Sequence, residues 1–359
     1  MSMPSKSCEL DILPTPLFKD VLGSIISPLT NIVNTSLRDG MFATNWKRAI
    51  IRPLIKKQGL DQVLANYRPV SNLSFTSKVV EKAILKQLNT HFDMSAPLPD
   101  YQSAYRPHYS CETALVSLMD DLLWGLERKQ VTQMCFMDLS AAFDTVDHEI
   151  LLNVLNFEFG VKGTALEWFS NYLDNRTSSV MVNSSQSSFQ SVDFSVPQGS
   201  LLGPVLYSVY ASTLQYIIPD QFELHAYADD HAIKQSHTAN AYEAKLVNSQ
   251  MSQTMQKVKI WMDMNRLKLN ESKTEFIMFG SKQMVDRCQV DSLTVNGMSI
   301  DCSTSIKYLG VFLDQSLTLK KQVATKCRAA MAGLRLIRNI RHMLTQDACH
   351  TIWLWFLAL

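Results

Sequence analysis

The stretch Ala226-Tyr227-Ala228-Asp229-Asp230 decides how the rest of this chain is interpreted. Its two carboxylates lie between two apolar runs, Phe222 to Tyr227 and Ala232-Ile233. Apolar runs around a short polar pair are typical of a β-hairpin, and aspartate tolerates the backbone angles that a tight turn needs. Adjacent anions repel, so the pair predicts a bound cation, and hard oxygen ligands suit Mg²⁺. The competing interpretation is a solvated turn.

A third acid, Asp138, follows the apolar, strand-like run from Val131 to Met137. Ligand sites in sheet proteins favour strand ends. Asp138 and Asp229 are 91 residues apart, which leaves room for helices that bring the two strands side by side. Three carboxylates on neighbouring strands predict a site for two divalent metals, which drive in-line phosphoryl transfer when they lie about 3.5–4 Å apart.

Composition bounds the class of protein without deciding its partners. The 359 residues are 46% hydrophobic and 19% charged, with a net charge of +1, which is typical of a globular protein with a large core or two subdomains. The stretch from Gln315 to Thr345 has no acid, and this stretch predicts either a solvated helix face or a polyanion-binding face. Its seven bases are Lys320, Lys321, Lys326, Arg328, Arg335, Arg338 and Arg341.

Cysteine usage and hydropathy predict a chain in a reducing compartment. The seven cysteines are odd in number and lack a CxxC pair, so neither a zinc knuckle nor a disulfide framework is expected. We find no signal-peptide pattern and no apolar stretch of about 18 residues, so the expected location is cytoplasmic or nuclear, with no membrane partner. The apolar segment 352–359 is too short to span a bilayer and is interpreted as a core segment cut off in mid-element.

Periodicity and turn residues predict the order of elements. Residues 1–16 are expected to form a loose arm; helices are predicted at 17–38, 77–88, 113–126, 148–159, 163–174, 205–210 and 241–264, and after 315. Strands are predicted at 46–57, 131–137, 274–279 and 306–313, with hairpins at 180–194 and 293–300. Asp147 is the expected cap of the fourth helix, Pro204 suits a first helical turn, and Asn296-Gly297 is a strong hairpin signal.

Five motifs in this order resemble those of reverse transcriptases, and the order is far more specific than any one motif. Phe136 to Asp144 is similar to motif A, Val196 to Pro204 to motif B, Tyr227 to Asp230 to motif C, Leu269 to Thr274 to motif D, and Tyr308 to Val311 to motif E. The resemblance runs from about residue 20 to the C-terminus. It is nearest to non-LTR (LINE-type) retrotransposons of the jockey-like group.

The resemblance implies an α+β, right-hand polymerase fold: fingers and palm with an antiparallel palm sheet plus helices, and a partial helical thumb. Residues 17–315 would form the fingers and palm, and 316–359 the start of a thumb. The implied partners are an RNA template, a DNA primer and a dNTP, with Mg²⁺ or Mn²⁺ as cofactor. Neither an endonuclease nor a ribonuclease H is recognised, which predicts a fragment of an element's reading frame.

The resemblance also implies catalytic roles. Asp138 and Asp229 would hold both metals, helped by the backbone carbonyl of Leu139, and Asp230 would be a weaker partner. These ions lower the pKa of a primer 3′-hydroxyl and stabilise the pyrophosphate leaving group. Lys273 would be the lysine that protonates pyrophosphate; without the motif it is one surface lysine among many.

Further residues are implied to bind the nucleotide. Phe143 would be a steric gate against a ribose 2′-hydroxyl, or else a core aromatic. Gln198 and Gly199 would border the incoming nucleotide, because a glycine lets backbone approach a ligand closely. Arg68, with Lys56 or Lys57 nearby, would grip the triphosphate through its planar donor fork, or else be a solvated arginine.

The predicted contacts to nucleic acid are made by arginines and lysines in two places. Arg106 closes a stretch similar to QSGFR, in which this chain has Ala104 and Tyr105 instead of Gly and Phe. Lys321, Arg328, Arg335 and Arg338 belong to the basic stretch that follows motif E.

The leading hypothesis is an RNA-directed DNA polymerase that transfers a nucleotide from dNTP to a primer 3′-hydroxyl. The alternative is a catalytically silent nucleic-acid-binding remnant of such an element. An RNA-templated RNA polymerase is disfavoured by the bulk of Phe143 and by Tyr-Ala-Asp-Asp in place of Gly-Asp-Asp.

Overall fold

The computed structural model describes residues 7–57, 59–95, 97–140, 143–348 and 350–351. Segment 352–359, interpreted above as a truncated core element, lies outside the described residues, as do Ala141 and Ala142 of the stretch similar to motif A. The chain forms two compact units. Unit 1 comprises Met1–Ala114, Met137–Ala232 and Gln253–Thr274, and unit 2 comprises Leu115–Phe136, Ile233–Ser252 and Glu275–Leu359.

Helices and strands alternate along the chain. The helices are α1 (Thr15–Asp20), α2 (Leu22–Arg38), α3 (Phe75–Met94), α4 (Cys111–Glu127), α5 (His148–Phe157), α6 (Thr164–Leu173), α7 (Gly203–Ala211), α8 (Ala241–Met264), α9 (Lys282–Cys288) and α10 (Lys320–Ile340). The strands are β1 (Arg48–Ile55), β2 (Tyr67–Asn72), β3 (Gln130–Met137), β4 (Leu139–Ser140), β5 (Arg176–Val182), β6 (Ser185–Gln186), β7 (Gln190–Val192), β8 (Glu223–Tyr227), β9 (Asp230–Thr238), β10 (Lys268–Leu269), β11 (Glu275–Phe279), β12 (Ser292–Val295), β13 (Met298–Asp301), β14 (Ser305–Tyr308) and β15 (Val311–Asp314).

Local chemistry explains where several helices begin. The Ser74 side chain accepts a hydrogen bond from the Ser77 amide and caps α3. Asp147 caps α5 by accepting from two amides of its first turn, as predicted. Pro204 lies in the first turn of α7, where it costs no backbone hydrogen bond. The helix predicted at 17–38 is divided into α1 and α2 at Val21, whose φ and ψ of −90° and 6° depart from helical values.

Unit 1 contains a mixed sheet packed on aromatic side chains. Strand β1 pairs antiparallel with β2, with Ile50 opposite Asn72, and parallel with β5. Strands β6 and β7 each pair antiparallel with β5. Phe42 packs edge-on against Trp168 at 5.5 Å and Tyr172 at 5.1 Å between ring centroids. Because aromatic side chains bury large apolar areas, this cluster contributes to the hydrophobic core of the unit.

A second sheet holds the strands next to the acids and has the order β11-β3-β9-β8. Strand β11 pairs antiparallel with β3, with Ile277 opposite Met134. Strand β3 is buried along nearly its whole length, including its polar residues Thr132 and Gln133. The mixed α+β architecture with antiparallel pairing is therefore confirmed.

Unit 2 carries two tight hairpins and a long exposed helix. The hairpin β12–β13 turns at Asn296-Gly297, where both residues have positive φ, as predicted. The prediction of a single strand at 306–313 is wrong: β14 and β15 form a second hairpin that turns at Leu309-Gly310. Both turn residues have positive φ, 46° and 86°, and a leucine there gives no local warning of a turn.

Helix α10 follows the second hairpin and packs on β15. Within it, Gly333 is buried, while Val323 and Met331 are exposed. Among the described helices, none combines the length with the apolar character needed to cross a bilayer.

Candidate active site

The hairpin turn between β8 and β9 carries Asp229 and is held by a buried glutamine. The residue with left-handed backbone is Ala228, with φ of 57°, so the expectation that aspartate takes these angles is wrong. This conformation costs an alanine about 1–2 kcal/mol. The Ala228 amide donates to Gln102 Oε1 at 3.1 Å, and Gln102 is itself buried.

Backbone pairing supports the same turn. The Ala226 amide donates to the Tyr101 carbonyl at 2.8 Å, and the Ser103 amide donates to the Ala226 carbonyl at 2.9 Å. Gln102 was not among the predicted site residues, although it lies in the stretch similar to QSGFR. The resemblance of this stretch to QSGFR was the only sequence signal for a role of Gln102, because a glutamine in a loop does not by itself indicate a site residue.

The structure places the three predicted acids at or beside the ends of neighbouring strands. Asp138 follows the last residue of β3, Asp230 begins β9, and these two strands are neighbours in the sheet. Partial burial, and then the charges of Asp229 and Asp138, raise the pKa of Asp230 to about 6. The three carboxylates therefore share one electrostatic environment, and removing a proton from Asp230 is opposed by the other two.

Lys273 lies beside these acids. Its Nζ is 3.1 Å from Asp138 Oδ2, and both side chains are reached by solvent. Backbone contacts fix this approach: Leu269 pairs with Leu139 between β10 and β4, and the Asn270 amide donates to the Asp138 carbonyl at 2.9 Å. The stretches similar to motifs A and D thus lie against each other.

This donor set fits a divalent cation. Carboxylate oxygens are the ligands that Mg²⁺ and Mn²⁺ prefer. Burial, and then the charges of Asp229 and Asp138, raise the pKa of Asp230, and negative charges this close to one another favour a bound cation. Asp138, Asp229 and Asp230 would hold the metal through their side chains, and Leu139 through its backbone carbonyl.

Phe143 packs against a tyrosine that the sequence did not single out. The Phe143 ring is half-buried, with its centroid 5.0 Å from that of Tyr207. Tyr207 is completely buried, and burial, followed by the charge of Asp229, holds its pKa well above the usual range. Its hydroxyl has no hydrogen-bond partner among the described residues. In the sequence, Tyr207 is simply one apolar position of α7.

The loop from Ser195 to Leu202, called the Pro-Gly loop below, holds Gln198 and Gly199. Gln198 Nε2 donates to Asp144 Oδ1 at 2.9 Å, and the Ser71 amide of β2 donates to the Gln198 carbonyl at 2.7 Å. Gly199 has φ of 128°, and a Cβ on it would lie 2.3 Å from the Ser71 carbonyl oxygen. Only glycine therefore fits between this loop and β2.

The contacts of the Pro-Gly loop add two residues that sequence analysis missed, Ser71 and Asp144. Both line a cavity of 240 Å³ together with Gln198. Burial raises the pKa of Asp144, and the hydrogen bond from Gln198 opposes that shift. Ser71 acts through its backbone, so its side-chain identity carries no signal of this contact.

Arg68 and Lys56 lie on the β1–β2 hairpin. Arg68 is exposed on β2, opposite Leu54 of β1 and three residues before Ser71. Lys56 follows β1, and its amide donates to the Asn66 carbonyl at 2.8 Å. The same strand thus carries Arg68 and contacts the Pro-Gly loop.

Arg106 binds its own loop. Its Nη1 donates to the carbonyls of Pro99 at 3.1 Å and Gln102 at 3.3 Å. Its guanidinium also lies 4.7 Å from the Tyr109 ring centroid and 3.9 Å from Asp100. These contacts stabilise the loop that holds Gln102, and they compete with the predicted contact to nucleic acid.

The predicted basic residues of α10 differ in their surroundings. Lys321 Nζ donates to Ser305 Oγ at 2.7 Å and lies 4.6 Å from the Phe312 ring centroid. Arg328, Arg335 and Arg338 are exposed. Lys321 thus ties α10 to the hairpin β14–β15, while the three arginines present their charge to solvent.

Three clustered carboxylates beside a lysine are the class of site that metal-dependent phosphoryl transfer uses. A family model described as "Reverse transcriptase (RNA-dependent DNA polymerase)" matches residues 55–313. The chain belongs to this family.

Similar proteins agree with the family. The chain is 29% identical to "Probable RNA-directed DNA polymerase from transposon BS" of Drosophila melanogaster, over 99% of this chain and 40% of that protein. It is 28% identical to "RNA-directed DNA polymerase from mobile element jockey" of the same species, over 82% of this chain and 32% of that protein. The predicted resemblance to non-LTR retrotransposon reverse transcriptases is confirmed, and the chain spans less than half the length of these relatives.

Among solved structures, apo telomerase from Candida tropicalis is similar with a TM-score of 0.48 and 14% sequence identity, over 83% of this chain and 53% of that chain.

Proposed function

We propose that this chain catalyses RNA-directed DNA synthesis. The observation that carries the proposal is the convergence of Asp138, Asp229 and Asp230, with Lys273 beside Asp138. In the proposed reaction the primer 3′-oxygen forms a bond to the α-phosphorus of a dNTP, the bond to the bridging oxygen breaks, and pyrophosphate leaves. When bound, divalent ions supply a lower pKa for the attacking hydroxyl and stabilise charge on the leaving group.

The acids of the site hold and orient the reacting groups. Asp138 and Asp229 are the proposed main ligands, with the Leu139 carbonyl, and Asp230 is a weaker partner. Lys273 pairs with Asp138 at 3.1 Å. The Lys273 ammonium is the proposed donor of a proton to pyrophosphate, and its pairing with Asp138 keeps it beside the acids that would hold a metal.

The Pro-Gly loop and its neighbours form the proposed nucleotide site. Gln198 and Gly199 border the nucleotide, Arg68 with Lys56 grips its triphosphate, and Phe143 limits the space beside the sugar. This proposal is supported by the hydrogen bond from Ser71 to Gln198, since it joins the strand of Arg68 to the loop. Residues 17–315 would act as fingers and palm, and 316–359 as the start of a thumb.

A primer-extension assay tests the proposal. With an RNA template, a DNA primer, dNTPs and Mg²⁺ or Mn²⁺, the chain should extend the primer. Asp138→Asn and Asp229→Asn should each lower the rate at least about a thousandfold, because charge stabilisation at a metal supplies several kcal/mol. Circular dichroism and melting temperature should show that both variants stay folded.

Two results would count against this function. Normal extension by either variant would remove the acids from the mechanism. A folded wild-type chain that binds primer–template but adds no nucleotide would support the alternative, a silent nucleic-acid-binding remnant.

A further inference from the structure

A buried carboxylate outside the acid cluster contacts the Pro-Gly loop. Glu81, on α3, is completely buried. Its Oε2 accepts a hydrogen bond from the Leu201 amide at 2.7 Å, and its Oε1 accepts one from the Tyr172 hydroxyl at 3.2 Å. A backbone amide 120 residues away along the chain is thus held by one acidic side chain.

A buried arginine acts on Glu81 through its charge. Burial raises the pKa of Glu81, and this shift is opposed first by the hydrogen bond from the Leu201 amide and then by the charge of Arg176, which lies at the start of β5 and is 3% exposed. Its Nη1 donates to the Tyr172 carbonyl at 3.0 Å, and its guanidinium lies 4.9 Å from the Tyr172 ring centroid. Burying two charges costs several kcal/mol each before they attract, so such a pair is weak support for stability alone.

The position of Leu201 gives this pair another role. Leu201 is two residues past Gly199, and the loop then closes on itself through the Gly203 amide and Ser200 Oγ at 2.7 Å. On its other side the loop is held by the Ser71 amide and the Gln198 carbonyl. Gln198 and Gly199 therefore lie between two tethers, one to β2 and one to Glu81.

We propose that Glu81 is a positioning residue that holds the Pro-Gly loop in the geometry needed to bind the incoming dNTP, with the Tyr172 hydroxyl orienting its carboxylate and the charge of Arg176 favouring its ionised form. This inference rests on the function proposed above. Glu81 does not touch the nucleotide. It acts through the Leu201 amide, so its loss should weaken nucleotide binding more than it slows nucleotide addition once the site is saturated.

Glu81→Gln tests the tether with little change of shape. The glutamine side chain has one oxygen, which accepts a hydrogen bond from either the Leu201 amide or the Tyr172 hydroxyl. Its NH₂ group faces the other donor and cannot accept from it. Arg176 also loses the negative charge nearby. We expect the KM for dNTP to rise about tenfold, as for the loss of one hydrogen bond to a charged group, with kcat within about threefold. The affinity for primer–template should not change.

Two further variants separate positioning from general stability. Leu88→Ala removes a buried side chain from the same face of α3, seven residues on, and should lower the melting temperature without moving the KM by more than about twofold. Tyr172→Phe removes one bond to Glu81 but leaves the bond to Leu201. Its KM should lie between those of the wild-type chain and Glu81→Gln.

Hydrogen exchange gives a readout that needs no catalysis. The Leu201 amide should exchange at least about tenfold faster in Glu81→Gln than in the wild-type chain, with α6 unchanged, and Leu88→Ala should leave Leu201 protected. An unchanged KM together with an unchanged Leu201 amide would overturn the inference, as would a rise in KM for Leu88→Ala equal to that for Glu81→Gln. If the wild-type chain adds no nucleotide, the proposed function fails, while the exchange data still decide whether Glu81 holds the loop.

Discussion

Phe143 is placed where both of its predicted roles are physically sensible. Its ring is half-buried and packs against Tyr207, so it contributes to the core, yet it follows the Asp138 strand by only a few residues. A ring whose outer part remains accessible excludes a ligand group by occupying its space, which is how steric selection works.

Phe143→Ala separates these two roles. Removing the ring should raise ribonucleotide incorporation relative to deoxyribonucleotide incorporation at least about tenfold, because exclusion of the 2′-hydroxyl is relieved. Single-nucleotide kcat/KM values for matched ribo- and deoxyribonucleotides measure the ratio. If the ratio is unchanged while the melting temperature drops, Phe143 is only a core aromatic.

The close approach of Gly199 to the backbone of β2 predicts that a side chain at this position would displace the loop. An added Cβ would meet the Ser71 carbonyl oxygen at 2.3 Å, and φ of 128° is a conformation that L side chains rarely adopt. Gly199→Ala should therefore displace the loop and lower kcat/KM for dNTP at least about thirtyfold, as a steric cost of about 2 kcal/mol implies. Gly160→Ala is the matched control, since that glycine also has positive φ, 64°, but nothing lies near its added Cβ. Similar losses in both variants would mean that backbone strain, not the contact with β2, is responsible.

At the scale of elements, the basic residues of α10 differ in whether they contact the protein or face solvent. Lys321 is used to hold α10 to the hairpin β14–β15, while Arg328, Arg335 and Arg338 are exposed. The three arginines are therefore better candidates for phosphate contact than the lysine. Helical spacing places Arg328 and Arg335, seven residues apart, on one face, with Arg338 close to it.

Changing Arg328, Arg335 and Arg338 together to Ala should weaken duplex binding at any sequence. Each phosphate contact adds about 0.9 to the slope of log affinity against log salt, so the slope should flatten by about two to three units if all three contact phosphate. Fluorescence anisotropy over a salt series measures the slope. The control changes Lys245, Lys257 and Arg287, which are exposed elsewhere, and removes the same net charge. Equal slopes for the wild-type chain and the arginine variant would identify a solvated helix face.

At the scale of the whole molecule, we expect the acid cluster to link folding stability to pH and to metal binding. The pKa of Asp230 is raised to about 6, so the folded chain binds this proton more tightly than the unfolded chain does. The contribution of Asp230 to stability is therefore most favourable below its unfolded pKa and is lost as pH rises through 6. A divalent ion binds the deprotonated carboxylate, so its binding restores the folding stability that is lost as the pH rises.

The increase in melting temperature caused by Mg²⁺ should thus be small at pH 5, grow through pH 6 and level off above pH 7. Thermal unfolding with and without Mg²⁺ across this pH range measures the increase. Asp230→Asn should flatten the pH dependence, by an amount that solvent screening reduces because the Asp230 carboxylate is only partly buried. A stabilisation by Mg²⁺ that is as large at pH 5 as at pH 7 would contradict the coupling between these acids.

Local sequence alone determined the family and many of the elements, but not the division of the helix at 17–38 or the hairpin at 306–313. Apolar periodicity and caps act over a few residues, so α5 with its Asp147 cap, the Asn296-Gly297 hairpin and strand β3 could all be predicted. The five motifs in order were enough to predict the reverse transcriptase family and the residues of the acid cluster.

Only the tertiary structure decided which groups hold the site. The Lys273 contact spans 135 residues of chain, the Glu81 contact with Leu201 spans 120, and the Gln102 contact with Ala228 spans 126. Arg106 donates from Nη1 to two carbonyls of its own loop, which the sequence did not indicate, and its contact with nucleic acid stays a prediction. A side chain's hydrogen-bond partner is set by the path of the whole chain, and a pattern of neighbouring residues carries no information about a carbonyl or amide more than 100 residues away.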